Sequence, residues 1–89
     1  MNAVISVVGK DCVGILAYVS NKCQDTNANI IEVSQTILKD YFAMIMVCNV
    51  DNINKSFVEF VDELENEGKT RGLEIHVMHE DIFNSMHKI

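Results

Sequence analysis

The 89-residue chain has no proline and a single arginine, Arg71. With no proline and no low-complexity stretch, nothing marks a linker, so one domain over residues 1–89 is expected. A lone arginine and scattered lysines do not build the clustered cationic surface that nucleic-acid phosphates require, and a formal charge of −6 argues the same way. The N-terminus lacks a basic segment leading into a long apolar run. Neither a signal peptide nor a membrane span is predicted, and the expected location is cytoplasmic. Cysteine is sparse: Cys12, Cys23 and Cys48 form no paired motif. Three such thiols in a cytoplasmic protein are read as structural, with Cys23 and Cys48 packed as small hydrophobes. Cys12 differs in lying at an expected helix N-terminus, where a thiol pKa falls.

What the chain does have is apolar patterning, 48% of its residues being hydrophobic. Ala3–Val8 reads as a strand. Cys12 to about Thr26 reads as a helix whose apolar face carries Ile15, Leu16, Val19 and Cys23, ended by the polar run Asp25–Asn29. From Asn29 to about Leu38, Ile31, Val33 and Ile37 alternate with Glu32, Ser34 and Thr36, a strand with one polar face. Lys39-Asp40 forms a turn into a further strand, Tyr41–Val50, completing a hairpin. Ser56 and Glu59 fit a capping box ahead of a helix with Phe57, Phe60, Val61 and Leu64 on one face, ending at Gly68 or Gly72. Leu73, Ile75 and Val77 alternate with Glu74, His76 and Met78 in a last strand. Ile82, Phe83, Met86 and Ile89 then recur at the spacing of a short amphipathic helix.

The order βαββαβ, with right-handed crossovers, gives an α+β, ferredoxin-like sandwich with a four-stranded antiparallel sheet, order 4-1-3-2. Strands one and three are apolar on both faces, as the central positions demand. Two helices cover one sheet face only, so Met44, Met46 or their neighbours are expected to leave an apolar patch on the other. The segment 82–89 is expected to cover part of it or to cross to a second subunit. A homodimer is the expected assembly.

The loop Gly9-Lys10-Asp11-Cys12-Val13-Gly14-Ile15 is the best candidate site. Gly9 suits a tight turn, Asp11 suits a helix cap, and Gly14 leaves the surface without a side chain. A helix N-terminus exposed in this way presents unpaired N–H groups that hold a carboxylate. Each feature has a plain structural reading as well: Asp11 as cap alone, Gly14 for close helix–strand packing, Asn29 as a turn residue.

A βαββαβ chain with Gly9-Lys10-Asp11 and Gly14-Ile15 after strand one resembles the ACT domain, a regulatory module that senses amino acids. Asn29-Ile30, Ser34-Gln35-Thr36 and the ending Glu80-Asp81-Ile82-Phe83-Asn84-Ser85-Met86-His87 place the resemblance in a branch of stand-alone bacterial and archaeal ACT proteins. That branch is similar to the ACT modules of glycine-cleavage regulators and formyltetrahydrofolate deformylase. The resemblance implies ligand binding without catalysis or cofactor, and an output through another protein. It places an amino acid between the first loop of one subunit and the start of strand two of its neighbour. The implied ligand-binding residues are Lys10, Asp11, Cys12, Val13, Gly14, Asn29 and Ile30. Serine-sensing ACT sites carry Asn and Pro in this loop, and neither stands between Gly9 and Ile15. A purely structural dimerisation or protein-interaction module is the alternative.

Other functions on this fold lack their residues. An acylphosphatase-like enzyme needs an arginine in the first loop, and a copper chaperone needs Cys-x-x-Cys there. An RNA-recognition motif needs stacking aromatics on strand one. His76 and His79, three apart on a strand, are expected on opposite faces, where they cannot share a metal ion.

Overall fold

The computed structural model describes residues 1–10 and 14–86, with Leu38 described by its backbone only. The elements are β1 (Asn2–Gly9), α1 (Ile15–Thr26), β2 (Asn29–Leu38), β3 (Tyr41–Asn49), α2 (Phe57–Thr70), β4 (Glu74–His79) and α3 (Glu80–Met86). The sheet order is β2-β3-β1-β4, the expected order read from the other edge, and every neighbouring pair is antiparallel. This is the ferredoxin-like sandwich.

Period-two alternation decides which residues meet the helices. Ala3, Ile5 and Val7 of β1, Phe42, Met44, Met46 and Cys48 of β3, and Ile75 and Val77 of β4 point to one side. There they pack with Ile15, Val19 and Cys23 of α1 and Phe60 and Leu64 of α2 in a single core. At about 25 cal/mol per Å² of buried apolar area, such a layer supplies most of the driving force for folding. The central strands also carry apolar residues on the open face, where Val8 and Ile45 stay exposed.

Three elements depart from the sequence reading. Helix α1 begins at Ile15 rather than Cys12, with Gly14 at its N-cap in a left-handed conformation, φ 76°, and no side-chain cap. The expected cap, Asp11, and the thiol of Cys12 lie outside the described residues. Leu16, placed on the apolar face, is exposed, because the buried row of α1 runs through Ile15, Val19, Cys23 and Thr26. Strand β2 contains a bulge between Ile30 and Glu32. Its described side chains are all exposed, since it forms the outer edge of the sheet.

Helix α2 starts as expected: the Ser56 Oγ accepts from the Glu59 N–H at 3.1 Å. The reciprocal half differs, for the Glu59 carboxylate accepts from the Ser56 hydroxyl at 3.1 Å rather than from its backbone. The helix runs through Gly68 to Thr70, and Gly72 in the left-handed region closes it. Helix α3 follows β4 directly and lies against β1 and β4 on the open face. Its apolar row is not buried as a set. Phe83 is half-buried while Ile82 and Met86 are exposed, and Ile89 and His87 lie outside the described residues. No helix among the described residues is long and apolar enough to cross a membrane.

Candidate functional site

The first loop is built by two glycines with different tasks. Gly9 ends β1 beside the α2–β4 connection, where a Cβ would stand 2.5 Å from Leu73 Cδ2. Glycine serves close approach to the Leu73 methyl there, not a tight turn. Gly14 is the reverse case: a Cβ would meet nothing within 4 Å, but φ of +76° strains any side chain. It is therefore not a packing glycine.

Past Gly14 the first helical bond runs from the Tyr18 N–H to the Gly14 carbonyl at 2.9 Å. The N–H groups of Ile15, Leu16 and Ala17 thus have no partner inside the helix, and they carry its partial positive charge. Lys10 is exposed, its Nζ 5.8 Å from the centroid of the Tyr41 ring. Asp11, Cys12 and Val13, expected in the same site, lie outside the described residues.

Asn29 and Ile30 are at the opposite end of the sheet. Asn2 pairs with Asn49, which pairs with Asn29, whereas Gly9 pairs with Phe42, which pairs with Ile37. At about 3.3 Å per residue the run from Asn2 to Gly9 separates the two ends by roughly 23 Å. Within one chain the loop and the start of β2 do not form one site.

The start of β2 has its own cavity of about 370 Å³, lined by Ser20, Gln24, Asn27, Ala28, Asn29 and Ile30. Sequence reasoning named Asn29 and Ile30 but missed Ser20 and Gln24. Their i, i+4 spacing on α1 was the available signal, since it sets both on one helix face. Beneath the cavity the thiols of Cys23 and Cys48 are fully buried. The hydrogen bond to Cys23, followed by burial, pushes the Cys48 thiol above the ordinary range.

A second cluster, which sequence reasoning did not find, joins α1 to α2. The Arg71 guanidinium lies 3.9 Å from the Tyr18 ring centroid, and the Tyr18 hydroxyl donates to Glu67 Oε2 at 2.7 Å. Lys22 donates to the other Glu67 oxygen at 2.8 Å. The partners are 45 or more positions apart, so no local pattern announces them. The two histidines behave as the strand period requires. His76 pairs with Ser6 on the open face and His79 with Ala3 on the core row.

A sequence model of the ACT domain matches residues 2–78. The chain belongs to the ACT domain family. An ACT-sized relative, a UPF0237 protein of Listeria innocua, is 49% identical over 89 residues, covering all of both chains. The solved ACT domain protein of Streptococcus pneumoniae is 40% identical with a TM-score of 0.81 and covers 93% of each chain. A putative glycine cleavage system transcriptional repressor shares the ACT fold at 22% identity and a TM-score of 0.70. It overlaps 86% of this chain and 44% of its own.

Proposed function

We propose that this ACT domain is a non-catalytic, cytoplasmic regulatory module. It binds an amino acid in a site shared by two copies and signals through a protein partner. The observation that carries this reading is the separation of the loop from the start of β2, combined with an uncovered β2 edge. β1 and β2 run in the same direction, since each is antiparallel to β3. Pairing β2 with β2 of a second copy about a two-fold axis sets the strands antiparallel. The Asn29 end of one copy then lies beside the Ile37 end, and hence the loop end, of the other. An isologous interface of this kind makes two equivalent sites.

In that arrangement the ligand carboxylate meets the N–H groups at the start of α1 that have no partner inside the helix, beside Gly14. The ACT resemblance assigns Lys10, Asp11, Cys12 and Val13 to the same site, with Asp11 as the acceptor for the ligand ammonium. Asn29 and Ile30 of the second copy close the site. The exposed apolar side chains Val8, Ile45 and Tyr41 favour a second reading, a dimerisation or interaction module without a free ligand.

A thermal-shift screen of the purified protein against the amino acids separates the two. A ligand at a hundred times its dissociation constant adds about 2.7 kcal/mol, a rise of about 10 °C or more in a domain of this size. One specific hit, lost in Asp11→Ala and Asn29→Ala, is the expected result. No shift with any amino acid would overturn the sensor reading in favour of the interaction module.

A further inference from the structure

The cavity at the start of β2 has a neutral lining. Of its six lining residues, Ser20, Gln24, Asn27 and Asn29 are neutral and polar, Ala28 and Ile30 are apolar, and none is charged.

The bulge in β2 is what keeps a carboxylate out. Ile30 pairs with Cys48 and Val33 with Met46, both on the helix side, while Glu32 pairs with Val47 on the open face. In an unbroken strand Glu32 would follow Ile30 at a spacing of two and point to the same side. The extra residue, Ile31, reverses that parity, so the nearest acidic side chain of β2 is turned to the far face of the sheet. Bulges beside sites commonly re-aim a side chain in this way.

The hydrogen-bonding groups along the rim are available. Ser20 and Gln24 side chains make no hydrogen bond or ion pair to any described residue. Asn27 spends its Nδ2 on the Asn52 carbonyl at 2.9 Å and keeps its Oδ1. The Gln24 amide offers a donor and an acceptor on one planar group, the complement of another carboxamide. A charged ligand group here would find no opposite charge among the lining residues, whereas a neutral amide finds both donors and acceptors.

We infer that the β2-start cavity receives the side chain of the ligand and selects amino acids with an uncharged hydrogen-bonding side chain, carboxamides foremost. This rests on the shared-site reading above, in which the neighbour's loop holds the ligand's carboxylate and ammonium.

Isothermal titration of the wild-type protein with glutamine, asparagine, glutamate, aspartate and lysine tests it, together with the same series on Gln24→Leu. The expected result is binding of a carboxamide at least tenfold tighter than its carboxylate counterpart, with that ratio collapsing in Gln24→Leu. Binding of the charged amino acids equal to or tighter than the amides would overturn this inference while leaving the amino-acid sensor intact. An unchanged ratio in Gln24→Leu would likewise overturn the assignment of selectivity to this cavity. No binding of any amino acid in the thermal-shift screen would remove the sensor reading and this inference with it.

Discussion

Tyr18 and Glu67 tie the two helices together: the phenol hydroxyl donates to the carboxylate at 2.7 Å, across the groove between α1 and α2. Arg71 stacks on the same ring, and Lys22 completes the carboxylate's partners at 2.8 Å. The arrangement ties α1 to the end of α2. Burial, then the bond to Glu67, raises the Tyr18 pKa above the ordinary phenol value. The bond from Lys22, then that from Tyr18, lowers the Glu67 pKa below the ordinary carboxylate value.

Both shifts make stability depend on pH, with opposite signs. Tyr18 is raised, so its contribution is full below about pH 10 and is lost as pH rises beyond the unfolded phenol pKa. Glu67 is lowered, so its contribution is present above about pH 4.5 and lost as pH falls below that. At pH 7 Tyr18→Phe is expected to cost about 0.5–1.5 kcal/mol, the net worth of one partly buried hydrogen bond. Urea titration of wild type and variant should show that gap shrinking above pH 10. An equal gap at both pH values would mean that the hydroxyl–carboxylate bond does not stabilise the fold.

The two loop glycines are expected to fail in different ways. Gly14→Ala forces a side chain into the left-handed region and should cost about 1–2 kcal/mol, less with Asn in its place. Nothing surrounds the new Cβ, so no neighbouring substitution rescues it. Gly9→Ala instead drives a methyl group into Leu73. Overpacking of this kind costs about 1–3 kcal/mol, and Leu73→Ala should recover part of it in the double variant. Chemical denaturation of the wild type, the three single variants and the two double variants with Leu73→Ala measures both couplings. Rescue of Gly14→Ala by Leu73→Ala, or none for Gly9→Ala, would contradict these roles.

Much of this was legible in the sequence because it is local. The alternation of Leu73 to Met78, the Ser56–Glu59 cap and the doubly apolar β1 and β3 each follow from short-range spacing. Together they fix the sheet order. The β2 bulge was not legible: Ile30 and Ile31 are both apolar, so the pattern looks the same whichever of them is skipped. Alternation still set Glu32, Ser34 and Thr36 together on one face, opposite Val33 and Ile37, as the pairing with β3 has them. The start of α1 was misplaced because Asp11 is a better capping residue by type than Gly14. Backbone conformation, not side-chain preference, sets that boundary. The Tyr18–Glu67–Arg71 cluster depends on how α1 and α2 lie side by side, which no linear spacing encodes.

The uncovered β2 edge is where the proposed assembly is tested. Val33 and Ile37 are 39% and 68% exposed in the single chain, so a charge at either position should change monomer stability by no more than about 0.5 kcal/mol. A lysine on an edge strand nevertheless blocks strand addition, the device by which natural sheets avoid pairing. Ile37→Lys is therefore expected to convert a dimer into a monomer in sedimentation equilibrium, with an unchanged far-ultraviolet circular dichroism spectrum. It should also abolish any ligand-induced thermal shift, since each proposed site draws on both copies. Ile45→Lys is the matched control, for Ile45 is 42% exposed on the open face, and the edge-paired dimer should survive it. The opposite outcome, a dimer broken by Ile45→Lys and untouched by Ile37→Lys, would mean that copies stack through their open faces. The loop of one copy would then not meet the start of β2 in the other by strand pairing.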